Sequence, residues 1–112
     1  MDNKTHFIEI YEPYDYSGQN PLPVEALGMV QGPGKTEYYL LRTELHLNNF
    51  TQPVCQLIVN PRYQGDKVTK LIESQTTVGI SCLKSGILIK AGDSVSYADI
   101  SYWGVGKISP AN

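Results

Sequence analysis

The string Gly28-Met29-Val30-Gln31-Gly32-Pro33-Gly34-Lys35-Thr36 comes nearest to a chemical motif, because Gly-Lys-Thr after an apolar run is how a phosphate-cradling loop ends. Its spacing is wrong. Gly28 leaves five residues before Gly34-Lys35, where that loop has four. The segment that follows alternates like a strand, so it offers no helix N-terminus to a phosphate, and the string reads as a Gly-Pro-Gly turn between strands. Cys55 and Cys82 lie 27 residues apart inside apolar, strand-like runs with no base nearby. They read as two reduced, buried small hydrophobes, not as a nucleophile or a disulfide. His6 is next to the terminus and His46 falls at an outward strand position. Neither is spaced from a cysteine or carboxylate as metal ligands are, so no metal or cofactor is implied. Asp93 and Asp99 would serve as an acid and base only if burial separated their pKa values. Asp93 sits in an Ala-Gly-Asp turn, where an aspartate normally hydrogen-bonds the turn backbone. Asp99 shares a strand face with Tyr97 and Trp103.

The aromatic residues carry more information than any catalytic set. Tyr11, Tyr14 and Tyr16 cluster where the first strand ends, and Tyr38, Tyr63 and Trp103 fall at outward or loop positions. Tyr and Trp bury large flat surfaces at small entropic cost and keep a polar handle, so with Arg they anchor interfaces. The candidate surface is therefore Tyr11, Tyr14, Tyr16, Tyr38, Arg42, His46, Arg62, Tyr63, Asp99 and Trp103. The competing reading has half of these tyrosines finishing a small core with their hydroxyls at its rim. Tyr39 and Tyr102 belong to inward faces on either reading.

Positioning such a surface falls to a chain of 112 residues, one domain's length, with net charge -2 from 9 basic and 11 acidic side chains. Eight Tyr, nine Ile, eight Val and seven Thr favour strands, while ten Gly and seven Pro punctuate them. A mildly acidic chain without a Lys/Arg cluster argues against general nucleic-acid binding. The N-terminus has no basic start followed by an apolar run, and no apolar stretch approaches the ~20 residues of a membrane helix. The expectation is a soluble, cytoplasmic protein with no membrane partner.

Period-two alternation predicts strands over residues 5–12, 24–31, 37–47, 54–60, 76–84, 87–90 and 94–105. Residues 13–23 hold three prolines and read as a long loop carrying Tyr14 and Tyr16. Residues 66–74 fit a short helix and a strand equally well: Val68, Leu71 and Ile72 recur at helical spacing behind Asp66, while Val68, Lys70 and Ile72 alternate. Lys84-Ser85-Gly86 would turn 76–84 back into 87–90 as a hairpin, and Gly104 and Gly106 would mark a bulge or a close backbone approach.

The sum is a mainly β chain, a single domain over 1–112. Its fold would be a small antiparallel barrel or two-sheet sandwich of seven or eight strands. The leading functional expectation is a non-enzymatic module that binds a protein partner or itself through the aromatic, Arg-containing face. Open sheet edges would favour a homodimer. The second expectation is a small-molecule binder or enzyme with a pocket at one barrel end, lidded by residues 13–23 and lined by Asp99, His46 or Glu44. The third is a single-strand nucleic-acid binder using Lys35, Arg42, Arg62, Lys67 and Lys70.

Overall fold

The computed structural model describes residues 5–12, 22–45, 54–61, 77–84 and 86–110. Six strands follow in chain order: β1 (Thr5–Glu12), β2 (Leu22–Gln31), β3 (Glu37–Leu45), β4 (Val54–Pro61), β5 (Thr77–Leu83) and β6 (Ile100–Pro110). Each pairs antiparallel with the next, and β6 returns to β1, so the sheet closes into a barrel. The small antiparallel barrel is thus the architecture, with six strands in place of the expected seven or eight. Residues 66–74 lie outside the described residues.

The strand lost is 87–90. These residues are not a hairpin return. Lys84 and residues 86–99 instead form an irregular strap, packing through Ile89 and Val95 against the outside of the barrel between β5 and β6. The last strand accordingly starts at Ile100, not at Ser94, and Tyr97–Asp99 is a short 3-10 turn before it. β2 begins at Leu22, two residues before its expected start, with Pro23 opposite Phe7 of β1.

Two apolar clusters result. Ile8 and Ile10, Leu22 and Val24, Leu41 and Leu45, Leu57 and Val59, Val78, Ile80 and Cys82, and Ile108 fill the barrel interior, with Tyr39 and Tyr102 packed against them. Val30, Leu40, Ile58 and Leu83 form a second cluster with Val95 and Ile100. Neighbouring residues of one strand point to opposite faces, so Leu40 beside Leu41 and Ile58 beside Leu57 lie on opposite sides of the wall. All four are at 0 % exposure. Both faces of β3 and β4 are therefore covered, which is why β4 reads as a nearly continuous apolar run.

The strap is tied down chiefly through backbone. Gln31 N–H donates to Asp93 O (3.0 Å), Val95 N–H to Gln31 O (2.7 Å) and Gly92 N–H to Met29 O (2.8 Å). β1 pairs with β2 only as far as Thr5–Glu25, and residues 92–95 occupy the edge of β2 beyond it, with a parallel bridge from Gln31 to Ser94. Gln56, buried on β4, completes the attachment: its Nε2 donates to Ile89 O (2.9 Å) and its Oε1 accepts from Ile89 N–H (2.8 Å). At Gly28, with φ +133°, a Cβ would come 2.7 Å from that of Ala91, so this position admits the strap only as glycine. At Gly106 a Cβ would press on the Glu9 carbonyl and lie 2.9 Å from Ile80 Cδ1, which makes it the close approach expected there.

Closure overturns one premise of the homodimer expectation. Each described strand has a neighbour on either side, so the described strands form a closed barrel rather than an open sheet with two free edge strands.

Candidate functional site, an open aromatic wall

The strap packs against the outside of β2, β3 and β4 and against Leu83 of β5 and Ile100 of β6, while further along the outer side Trp103 on β6 and Glu9 and Tyr11 on β1 are exposed. Alternation on β6 turns Trp103, Val105 and Lys107 outward, since Tyr102 and Ile108 pack inside and Gly106 is buried. The same parity turns Phe7, Glu9 and Tyr11 outward on β1, and Thr77, Gly79 and Ser81 on β5. The ladder sets these into rungs: Trp103 opposite Ser81, Val105 opposite Gly79, and Lys107 opposite Thr77 on one side and Glu9 on the other.

Trp103 is 57 % exposed and Tyr11 46 %. The indole is thus held half out of water, opposite a buried serine, Ser81, and one rung from Gly79. Asn60 is opposite Gly79 on β4, with its Oδ1 3.0 Å from where a Gly79 Cβ would lie. Tyr11 is held by Glu9 two residues earlier on the same face. Its pKa is raised by desolvation, then by its hydrogen bond to Glu9, then by that carboxylate's charge.

The other sequence candidates divide. Tyr38 faces outward on β3 but is half-buried in the second cluster, with its ring in the space a Cβ on Gly32 would take. Burial pushes its phenol up, and Tyr97 adds to the effect. Arg42 is opposite Glu25 across the β2–β3 ladder and forms a salt bridge with it, a cross-strand pair whose arginine end is exposed and whose glutamate end is partly covered. Asp99 is not on a strand face. Its Oδ2 accepts from Ser96 N–H (3.0 Å) and Ser96 Oγ (3.3 Å), which fixes the 3-10 turn. Asp93 holds its turn as expected, with Oδ2 accepting from Lys90 N–H at 2.9 Å. Tyr14, Tyr16, His46, Arg62 and Tyr63 lie outside the described residues, so the structure brings only Tyr11 and Trp103 of the candidate set onto one wall.

Cys82 is buried in the interior, where desolvation pushes its thiol up to about 12. Cys55 is exposed, contrary to its expected burial, because the β3–β4 register shifts between Arg42 and Leu45 and turns it out of the wall. Both are thiols. His6, read as a terminal residue, is 5 % exposed and shares the inward parity of Ile8 and Ile10. That parity was available in the sequence. Val105, Lys107 and Glu9 were likewise missed, and counting in twos from Trp103 and Tyr11 finds them. Leu88 and Tyr97, 79 % and 68 % exposed on the strap, had no sequence signal because the strap has no period.

Among the described residues, no three His, Cys, Asp or Glu side chains are grouped as metal ligands would be, and no helix is long and apolar enough to cross a membrane. A shallow depression of about 210 Å³ lies between the end of β2, the Pro33–Lys35 turn and the strap, lined by Met29, Val30, Gln31, Lys35, Glu37 and Gly92. No protein-family model, no curated protein and no solved structure matches this chain.

Proposed function

We propose that the protein is a binding module that docks a protein partner on the outer wall of β5, β6 and β1, with Trp103 as its anchor, and carries out no reaction of its own. The observation that carries this reading is the 57 % exposure of Trp103, on an outward position of β6 opposite Ser81 of β5. Tryptophan and tyrosine dominate interface energetics when a partner desolvates them, and Val105 follows Trp103 at the next outward position of β6, opposite Glu12 of β1. Among the described residues, Asp93 and Asp99 hold turns, and the Cys82 thiol stays protonated in the core.

The pocket reading needs residues 13–21 and His46, which lie outside the described residues; the depression of about 210 Å³ among the described residues lies elsewhere and is below the ~300–1,000 Å³ of ordinary ligand sites. The nucleic-acid reading loses Arg42 to Glu25.

A photo-crosslinking residue in place of Val105, used in the native cell, tests the proposal. Protein adducts at this position, abolished by Trp103→Ala and absent when the same residue replaces Leu88 on the strap, are the expected result. Equal yields at the two positions, or no protein adducts at 105, would overturn it.

A further inference from the structure

We infer that residues 86–91 of the strap form a flap, latched by Gln56, which opens while the barrel and the rest of the strap stay closed. The flap is independent of Trp103 and of whatever docks there.

The two parts of the strap are held differently. Residues 92–95 pair with β2 through three backbone hydrogen bonds, Gly92 N–H to Met29 O, Gln31 N–H to Asp93 O and Val95 N–H to Gln31 O. Val95 is buried in the second cluster at 4 % exposure, and Lys84 N–H donates to Asp99 O at 2.9 Å, which ties the two ends of the strap together. Residues 86–91 have far less to hold them. Ile87, Leu88 and Ile89 are three consecutive large aliphatic residues, yet none of the residues 86–91 is buried, and Leu88 is 79 % exposed. Among the described residues, the hydrogen bonds from this segment to the barrel are the two that Ile89 makes with the Gln56 amide. The Ile87 and Lys90 amides donate within the strap, to Lys84 O and Asp93 Oδ2.

Both ends of the segment can act as hinges, which are terminal residues that absorb a change in φ and ψ. Gly86 and Gly92 have φ of +89° and +93°, and each stands in open space, with nothing within 4 Å of where a Cβ would lie. Opening the flap breaks two hydrogen bonds, each a factor of about five in the equilibrium, and removes the partial cover of Ile87 and Ile89. Unfolding the barrel must also expose both apolar clusters. The flap therefore belongs to the low-stability end of the molecule, and the barrel to the high end. What opening uncovers is Gln56, 6 % exposed when the flap is shut, whose primary amide is shaped to pair with both backbone groups of one extended residue.

Hydrogen exchange of the wild-type chain at a series of urea concentrations below the unfolding transition tests the flap. Relative to its open-chain rate, the Ile89 amide should exchange at least about tenfold faster than the Gln31 and Val95 amides. Its rate should barely depend on urea, because flap opening exposes little surface, whereas theirs should climb as unfolding takes over. In a Gln56→Leu variant the Ile89 amide should come within about threefold of its open-chain rate, with Gln31 and Val95 still at least about tenfold better protected. An Ile89 amide that shares the protection and urea dependence of Gln31 and Val95 overturns the flap, because the strap then opens only as a whole or with the barrel. Protection lost at all three amides together in Gln56→Leu overturns it as well.

Discussion

Replacing Gln56 tests whether the strap and the barrel are one cooperative structure. The Gln56 amide acts as an extra ladder residue, donating to Ile89 O at 2.9 Å and accepting from Ile89 N–H at 2.8 Å, on a side chain that is 6 % exposed. Gln56→Leu removes both bonds at nearly constant volume. Each contributes about 1 kcal/mol net, and the Ile89 groups left behind are only partly covered, so water can reach them when the strap lifts. The expected loss is about 2–3 kcal/mol. Gln56→Glu keeps the acceptor for Ile89 N–H but sets a buried carboxylate against Ile89 O. The introduced carboxyl is favoured in its neutral form in the fold, which raises its folded pKa above the ~4.3 of the open chain. Its contribution is therefore fully present below about pH 4 and is lost as pH rises through the folded value. Urea unfolding at pH 3.5–8 reads the total, and hydrogen exchange at the Ile89, Gly92 and Val95 amides reads the strap. If Gln56→Leu costs under about 0.5 kcal/mol, within the range of an inert surface change, and those amides exchange at wild-type rates, the strap is not held as described.

Leu57→Ala and Ile58→Ala should each cost about 2–5 kcal/mol in chemical denaturation, although the two side chains lie on opposite faces of β4, whereas a barrel without an outer core would tolerate the second within about 0.5 kcal/mol. Equal tolerance at 58 and at an exposed wall position would refute the second cluster. For Cys82, the thiol titrates at about 9 in the open chain and about 12 in the barrel. Its folded pKa is raised, so its contribution is intact below pH 9 and declines by about 1.4 kcal/mol per pH unit above it until the folded pKa is reached. Unfolding free energies compared at pH 8 and 10 for the wild type and Cys82→Ala should show a steeper fall in the wild type, and parallel falls would contradict the burial argument.

The parts of this fold that a period-two count reaches are those in which one strand has one dry face. β1 is recovered at Thr5–Glu12 and β3 from Glu37, because their neighbours alternate apolar and polar. β4 is recovered as a strand but not explained, since Leu57, Ile58 and Val59 give no preferred face until the strap supplies a second core. The strap itself defeats the method. Ile87, Ile89 and Val95 resemble strand residues, yet Gln56 and the edge of β2 take their backbone partners, so composition says strand where long-range pairing makes a covering segment. Asp99 fails for the same reason: a carboxylate placed on a strand face is in fact bonded to Ser96 three residues away. The site divides likewise. Trp103 and Tyr11 are legible as outward aromatics, but whether an outward residue is exposed depends on which wall the strap covers, and only the structure decides that Tyr38 is half-buried and Trp103 is not.

That division has a consequence for how the protein can associate. The closed barrel and its strap turn two apolar clusters into internal contacts, while Trp103 on β6 stays exposed. The strap is held by backbone hydrogen bonds, a buried glutamine and a glycine at position 28, none of which involves Trp103 or Lys107. Changes to Trp103 or Lys107 can therefore alter binding without touching what holds the barrel shut. The two properties are physically separable on this chain, so a folded Trp103→Ala variant that no longer associates would locate function on the wall, whereas one that unfolds would place the indole in the fold's own stability.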